Sequence, residues 1–282
     1  MIPSYLATDF PYCFRMNGIT LHCRNTEMAC LFPSIEEVLQ ERLRRNVQKL
    51  LQHISAPSGM LCCKVCDVAH FASRMRIALC RKRRDGRFDW ELGEFVHSVA
   101  AAKAGATVPA VLGYGYRSAR FGLPRETVLL SEWLEGYTDL RAWMSANPDG
   151  VVGMTRRIIQ LVMRLIELRI IHLDLWIGNI LSPLLPPKIV DENMPMVVDW
   201  ENAWIWDVPY PAQAMGYMLG FLFHYELQCH LDEAAFDALV LEALAAMPQL
   251  DRPAFETIYT FAKHHHISRK TRWRIVTEGR LP

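Results

Sequence analysis

The chain has 282 residues, of which 51% are hydrophobic and 22% charged, a balance that predicts a folded globular protein and excludes a disordered one. Thirty-one lysines and arginines against thirty acidic residues leave a formal charge of +1, so the overall charge does not favour nucleic acid as a partner. The eight cysteines lack the regular spacing of a secreted disulfide framework, and the first twenty residues contain Asp9 and Arg15 instead of an apolar signal segment. We therefore expect reduced thiols and a cytoplasmic protein.

The N-terminal half of the sequence predicts a small β-rich region. Apolar residues recur near helical spacing over residues 36 to 53, which predicts a helix there. Residues 60 to 65 form an apolar run bounded by turn residues and predict a buried strand. Residues 88 to 104 predict a second helix, and residues 107 to 116 and 126 to 133 predict two further strands. The order strand, helix, strand, strand is that of the small lobe of a kinase.

From residue 140 onward the sequence predicts mainly helices. They are expected at residues 155 to 169, 211 to 229, 232 to 246 and 253 to 265, with a proline-rich hairpin or loop insertion from 182 to 195. The predicted fold class is α+β, a protein-kinase-like fold with two lobes. A small β-rich N-terminal lobe takes residues 1–133, of which 1–50 are poorly assigned, and a helical catalytic lobe takes residues 134–282.

An acid, an amide and a second acid occur in the order that phosphoryl transfer requires. The segment from His172 to Asn179 contains Asp174, and the apolar run Val197-Val198 leads to Asp199. Transfer of a phosphoryl group to a hydroxyl needs a carboxylate for the hydroxyl proton and oxygen ligands that hold Mg²⁺ on the phosphates. We predict Asp174 as the catalytic base, and Asn179 and Asp199 as metal ligands. Glu201 is either a further ligand or a surface carboxylate, and His172 is expected to be structural.

Lys64 lies in the otherwise apolar strand at residues 60 to 65, where an unpaired ammonium would be costly to bury. Glu91 and Glu94 of the following helix are candidate partners, and we favour Glu94. Such a pair would hold the ammonium against the α- and β-phosphates of a nucleotide. The alternative is an edge-strand lysine whose ammonium extends into solvent.

The kinase-like fold predicts further nucleotide contacts. Strand alternation puts Cys62 on the same face as Lys64, where it would lie against the adenine ring. The connection that contains Glu132 and Leu134 would offer backbone groups to the adenine edge. A GxGxxG loop is missing ahead of Lys64, so the phosphate-covering turn must come from another segment, such as residues 15 to 24 or 55 to 59.

Two basic clusters stand out, one at residues 81 to 87 and one at residues 263 to 280. Each is either a solvated face or a surface for an anionic substrate or an acidic membrane. The most apolar stretch, residues 158 to 185, contains Arg164, Glu167 and Asp174, which excludes a transmembrane helix there. Any contact with a membrane would be peripheral.

The chain resembles the lipopolysaccharide core sugar kinases of Gram-negative bacteria over roughly residues 60 to 210. The resemblance rests on the following segments: Gly93-Glu94, Ala104 to Pro109, Leu112 to Arg117, Val128 to Gly136, His172 to Asn179, and Asp199. It implies a protein-kinase-like fold, the use of ATP and Mg²⁺, and phosphorylation of a heptose or Kdo hydroxyl on a glycolipid at the cytoplasmic side of the inner membrane. We infer no obligate protein partner.

Two alternatives stay open. Leu173 stands where many small-molecule relatives carry glycine, and Asp199-Trp-Glu201 replaces the Asp-Phe-Gly of protein kinases. Because Asp-Trp-Glu is also common in aminoglycoside- and choline-type phosphotransferases, such an enzyme is the nearest rival. It would need a pocket for an amine, with four candidate carboxylates: Glu226, Asp232, Glu233 and Asp237. The second alternative is a pseudokinase that binds without turnover.

Overall fold

The computed structural model describes residues 2–184, 195–205 and 207–281. The chain divides into two compact units, one of Met1–Val99 with Pro109–Leu134 and one of Ala100–Val108 with Glu135–Pro282. The first unit is built on a β-sheet and the second is mainly helical, which confirms the predicted α+β class. Most of the predicted proline-rich insertion at residues 182 to 195 lies outside the described residues.

The first unit contains six antiparallel strands and three helices among its described residues. In chain order they are β1 (Tyr12–Met16), β2 (Ile19–Cys23), α1 (Phe32–Arg45), β3 (Lys49–Ala56), β4 (Gly59–Asp67), α2 (Phe71–Ala78), α3 (Trp90–Lys103), β5 (Val111–Ser118) and β6 (Pro124–Glu132). The sheet order is β1-β2-β5-β6-β4-β3, and the last turn of α3 belongs to the second unit. The predicted strand at residues 60 to 65 is β4.

β4 has a partner strand on each side, β3 and β6, and its side chains alternate between two faces. Leu61, Cys63 and Val65 belong to the core that this sheet shares with α1. Cys62 and Lys64 therefore lie on the opposite face. The expected position of these two residues on one face is confirmed, while the edge-strand alternative for Lys64 is wrong because β4 is an internal strand.

The helix predicted over residues 36 to 53 is shorter than expected. α1 ends at Arg45 because Asn46 adopts the left-handed conformation with φ of 50°, which closes the last turn. The chain then enters β3, where Leu50, Gln52 and Ile54 alternate with the more exposed Leu51 and His53. Leu50 and Leu51, which also fit the helical spacing, therefore belong to a strand.

The second unit contains six helices and five short strands among its described residues. In chain order they are β7 (Tyr137–Asp139), α4 (Leu140–Ala146), α5 (Val151–Glu167), β8 (Ile170–His172), β9 (Ile180–Pro183), β10 (Met196–Val197), β11 (Ala203–Ile205), α6 (Pro211–His224), α7 (Glu233–Leu244), α8 (Arg252–His264) and α9 (Arg269–Glu278). The four helices predicted in this region are α5 to α8. α9 was not predicted.

The core of the second unit is organised around α6, which is buried over most of its length. Gly216 and Gly220 lie one turn apart on α6 and allow the backbone of α8 to approach closely. A Cβ atom at Gly216 would lie 2.6 Å from the carbonyl oxygen of Phe255, and one at Gly220 would lie 2.6 Å from the carbonyl oxygen of Tyr259. The position of α8, and of α9 after it, therefore depends on these two glycines. Within the described part of the chain, no helix has the length and apolar character that a membrane span needs.

Candidate active site

The segment that contains Asp174 follows β8 and is held by backbone and side-chain hydrogen bonds. The Leu173 amide donates to the carbonyl oxygen of Asn202 at 2.8 Å, and the Tyr217 hydroxyl donates to the carbonyl oxygen of Leu173. Both partners come from segments distant in sequence. Asn202 lies in the turn just before β11, and Tyr217 lies on the buried helix α6. The loop is therefore fixed to the core of the second unit.

Both carboxylate oxygens of Asp174 accept hydrogen bonds. Arg272 Nη1 donates to Oδ1, and Asn202 Nδ2 donates to Oδ2 at 2.5 Å. The sequence motif predicts Asp174 but neither of these partners. In the sequence, Asn202 is recognisable only as an amide three residues after Asp199, and Arg272 only as one arginine of the second basic cluster. Neither position tells which acid the side chain contacts.

The Arg272 guanidinium is buried, with 7% of the residue exposed, and several groups compensate for the loss of water. Its Nε donates to the carbonyl oxygen of Ile267 at 2.9 Å, and its Nη1 to that of Leu173 at 3.2 Å. The guanidinium carbon lies 4.5 Å from the centre of the Phe221 ring. Burial lowers the pKa of Arg272 to about 10, which leaves the side chain cationic at neutral pH.

Asn179 connects the two predicted motifs. Its Nδ2 donates to the carbonyl oxygen of Asp174 at 2.9 Å, and its own backbone carbonyl accepts the amide of Val198 at 3.0 Å. Because the side-chain nitrogen is directed at Asp174, the side-chain oxygen is the atom with which Asn179 would bind a cation. Gly178 is required just before it, since a Cβ at that position would overlap the Trp176 ring.

Asp199 follows β10 in a left-handed conformation with φ of 63°, which aspartate tolerates better than most residues. The next residue, Trp200, is 1% exposed and anchors the turn, because its Nε1 donates to the carbonyl oxygen of Val197 at 2.9 Å. Carboxylate oxygens of Asp199 and Glu201 lie within 4.8 Å of each other. Two carboxylates at this separation are hard oxygen donors that fit Mg²⁺.

His172 is fully buried next to this turn, with its ring 5.0 Å from that of Trp200. Its Nε2 lies 3.2 Å from the carbonyl oxygen of Val198. Burial lowers the pKa of His172 to about 4, partly offset by the charge of Asp199. A neutral, buried imidazole in contact with backbone supports the expected structural role.

In the first unit, Lys64 Nζ on β4 donates to Glu94 Oε1 on α3, so the predicted ion pair is present. Both residues are buried, at 6% and 7% exposure. Glu91, the other candidate, lies one turn earlier on α3 and is also buried. The function of the pair toward a nucleotide stays a prediction.

The three other predicted nucleotide contacts also belong to the first unit. Burial raises the pKa of the Cys62 thiol, against a hydrogen bond to Ser131, so this cysteine is not a reactive thiolate. The Glu132 amide already donates to the carbonyl oxygen of Ala110 at 2.8 Å. A backbone contact to adenine would therefore have to use other groups of this connection, Leu134 included, and remains a prediction.

A narrow crevice, too small to hold a water molecule, lies beside Asp174 in the second unit and has a basic wall. Its lining residues are Leu173, Asp174, Asn202, Arg269, Arg272 and Trp273. The last three belong to α9. Arg269 is exposed and lies 3.4 Å from Glu201. The character of this wall follows from the packing of α9, which the sequence did not reveal.

The four acidic residues that would suit an amine have other partners. Asp232 caps α7 by accepting the amide of Ala235 at 2.9 Å, and Glu226 lies 3.6 Å from Arg141. Glu233 and Asp237 bind Lys263 at 2.6 and 2.7 Å. Lys263 is itself only 5% exposed, so the second basic cluster is not a continuous surface.

Comparison with known proteins identifies the fold. Neither a protein-family model nor a curated protein matches this sequence. Among solved structures, the chain is similar to one titled "WaaP in complex with acyl carrier protein", with a TM-score of 0.53 and 15% sequence identity. The match covers 86% of this chain and 98% of that chain. At this identity the likeness concerns the fold alone, and it agrees with the predicted protein-kinase-like class.

Proposed function

We propose that this protein is an ATP-dependent kinase that transfers the γ-phosphate to a sugar hydroxyl of the lipopolysaccharide inner core. The observation that carries the proposal is the pairing of Asp174 with a basic wall. The carboxylate that would take the hydroxyl proton lies next to Arg269, an exposed cation of α9 suited to an anionic acceptor. The resemblance of the motifs to the core sugar kinases and the fold likeness to WaaP support it.

In the proposed reaction, Asp174 orients the acceptor hydroxyl and takes its proton as the phosphoryl group is transferred. Arg272 and Asn202 fix the rotamer of this carboxylate through one oxygen each. Fixing the base in one position reduces the entropy lost on the way to the transition state. Arg272 thus acts as a positioning residue in this scheme.

The metal would be held by the side-chain oxygen of Asn179 and by Asp199, with Glu201 close enough to contribute. Mg²⁺, when bound, neutralises the phosphate charge during transfer. Lys64, held by Glu94, would bind the α- and β-phosphates. Cys62 would contact the adenine ring, and the connection with Glu132 and Leu134 its edge.

The basic wall favours an anionic acceptor over an aminated one. Inner-core glycolipid carries acidic sugars and phosphates, and arginine binds such groups through charge-assisted hydrogen bonds. The second hypothesis, an aminoglycoside- or choline-type enzyme, requires free carboxylates near Asp174. Asp232, Glu233 and Asp237 instead stabilise α7 and α8. We further propose a glycolipid substrate, peripheral membrane contact, and no nucleic acid or obligate protein partner.

The test is transfer of labelled phosphate from ATP to phosphorylated inner-core glycolipid, compared with an aminated small alcohol. We expect turnover with the glycolipid only. Asp174→Ala should lower kcat by about 10²- to 10⁴-fold, the usual contribution of a general base. Arg269→Ser should raise KM for the glycolipid and leave KM for ATP unchanged.

Arg274→Ser is the matched control for Arg269, because Arg274 lies on the same helix and binds Glu278. Turnover with the aminated alcohol alone would replace the proposal by the second hypothesis. Nucleotide binding without turnover on any acceptor would identify a pseudokinase. Full activity of Asp174→Ala would remove the mechanism.

A further inference from the structure

The first unit has a row of exposed apolar side chains along α2. Phe71, Met75 and Leu79 are 68%, 37% and 53% exposed. Their spacing of four residues puts them on one face of the helix, while Ile77 and Ala78 are buried on the other face. Single exposed apolar residues are normal, but a contiguous apolar face on a helix indicates a binding surface.

The apolar face continues onto the N-terminal segment. Tyr5 is 59% exposed and lines a cleft of about 670 Å³ together with Leu79 and Phe10. Most of the other lining residues are small or apolar, among them Ile2, Pro3 and Ala78. The surface is therefore wider than one helix face and includes a depression into which an apolar group fits.

A basic segment follows α2 directly. The chain turns at Cys80, whose φ is 49°. The next four residues are all exposed and basic: Arg81, Lys82, Arg83 and Arg84. The nearby carboxylate of Asp85 accepts hydrogen bonds from Arg87 and lies 3.8 Å from Arg83. Five cations and one acid therefore stand between residues 81 and 87. The first basic cluster of the sequence is thus a solvent-exposed positive surface beside the apolar row.

We propose that this α2 surface, made of Tyr5, Phe71, Met75 and Leu79 together with residues 81–84, docks the protein on an anionic phospholipid bilayer. Apolar side chains enter the boundary between headgroups and acyl chains, while arginine and lysine bind the acidic headgroups. Apolar insertion alone, or attraction to acidic headgroups alone, does not bind a protein stably to a membrane, and the α2 surface combines both. A second copy of the chain is a poorer occupant, because the positive segments would repel each other. The inference rests on the peripheral membrane contact of the proposed function and deepens it, because it assigns that contact to a named surface whose binding requires no turnover.

The experiment is flotation of the full chain with vesicles of phosphatidylcholine, with and without about one third phosphatidylglycerol. We expect binding to the anionic vesicles only, weakened by salt. The triple change Arg81→Ser, Arg83→Ser and Arg84→Ser should lower the partition coefficient about a hundredfold, or about fivefold for each arginine. The double change Phe71→Ser and Leu79→Ser should lower it by a similar factor.

Two matched controls use residues equally exposed elsewhere. Leu241→Ser removes an apolar side chain that is 60% exposed on α7, and a triple serine variant removes Arg44, Arg45 and Arg164. Both should bind like the wild type, and melting temperatures should confirm that all variants fold.

Absence of wild-type binding to anionic vesicles would overturn the proposal, as would equal losses in the controls. A dimer in sedimentation that Phe71→Ser and Leu79→Ser dissociate, without any effect on flotation, would assign the surface to a second copy. Because flotation is measured without ATP or acceptor, its result is independent of the kinase assay.

Discussion

Lys64 and Lys263 are the two buried lysines among the described residues, at 6% and 5% exposure, and they differ in their surroundings. Lys64 lies on an internal strand, and the side chain of its partner Glu94 is only 9% exposed. Lys263 lies on α8, and its partners Glu233 and Asp237 keep 44% and 37% of their side chains exposed.

The different exposure of their partners indicates that the two lysines have different roles. The two carboxylates around Lys263 stay hydrated, and the ammonium also lies 4.7 Å from the Tyr259 ring, so the group holds α8 against α7 at little desolvation cost. The Lys64–Glu94 pair is buried on both sides, and a pair of this kind adds little net stability. Under the proposed function, the pair instead fixes the ammonium for the phosphates of a nucleotide.

Removal of both charges of the Lys64–Glu94 pair gives the largest expected effect. Lys64→Met with Glu94→Gln should lower kcat/KM for ATP at least about a hundredfold, as loss of a preorganised charge contact does. The free energy of unfolding should stay within about 1 kcal/mol of wild type or rise, because neutral side chains avoid the desolvation cost.

Steady-state kinetics and urea denaturation measure the two quantities. Lys49→Met, on the exposed edge strand β3, is the control and should change neither. A large loss of stability together with full activity in the double variant would make Lys64–Glu94 structural and abolish the distinction from Lys263.

Lys263→Met should show the opposite behaviour. Two carboxylates lose their cation but remain in contact with water, so we expect a loss of about 2 kcal/mol of unfolding free energy, below the cost of a fully buried pair. Turnover should change less than about threefold, measured well below the melting temperature. Lys270→Met, which alters an exposed lysine of α9, serves as the control for stability. A selective loss of activity would place Lys263 in the active machinery.

The smallest expected effect concerns pH. The hydrogen bond from Lys263, and then that from His264, hold the pKa of Glu233 below its usual value of 4.5, against the opposing effect of burial. A carboxyl with a lowered folded pKa stabilises the fold above pH 4.5, and this contribution is lost as the pH falls through the folded pKa. In Lys263→Met the pKa of Glu233 moves back toward its usual value. The urea midpoint should therefore fall less between about pH 7 and about pH 3.5 than in the wild type, and equal decreases would contradict this assignment.

Three strands of the sheet, β4, β5 and β6, and the ion pair of the first unit could be predicted because they follow from local pattern and from charge. Lys64 in an apolar strand requires a buried partner, and helical spacing offers two glutamates. The end of α1 could not be predicted in this way, since Leu50 and Leu51 suit a helix as well as a strand. Asn46 decides between them through its left-handed conformation.

The partners of Asp174 could not be predicted, because they depend on tertiary packing. Asn202 and Arg272 reach the carboxylate only after β11 pairs with β8 and α9 packs on α6. The second basic cluster contains both Lys263, which is structural, and Arg272, which contacts the predicted base. The different contacts of these two cations cannot be predicted from composition, because they depend on which residues surround each cation in the fold.

The contact between Asp174 and Arg272 joins residues 98 positions apart in the chain. At the usual rate of synthesis, about 5 to 20 residues per second, the ribosome adds Arg272 about 5 to 20 seconds after Asp174. The motif that bears the proposed base is thus complete well before its cation exists. A nascent chain stopped before α9 would carry every sequence motif of the proposed enzyme, yet only Asn202 would hold the Asp174 carboxylate, through one of its two oxygens.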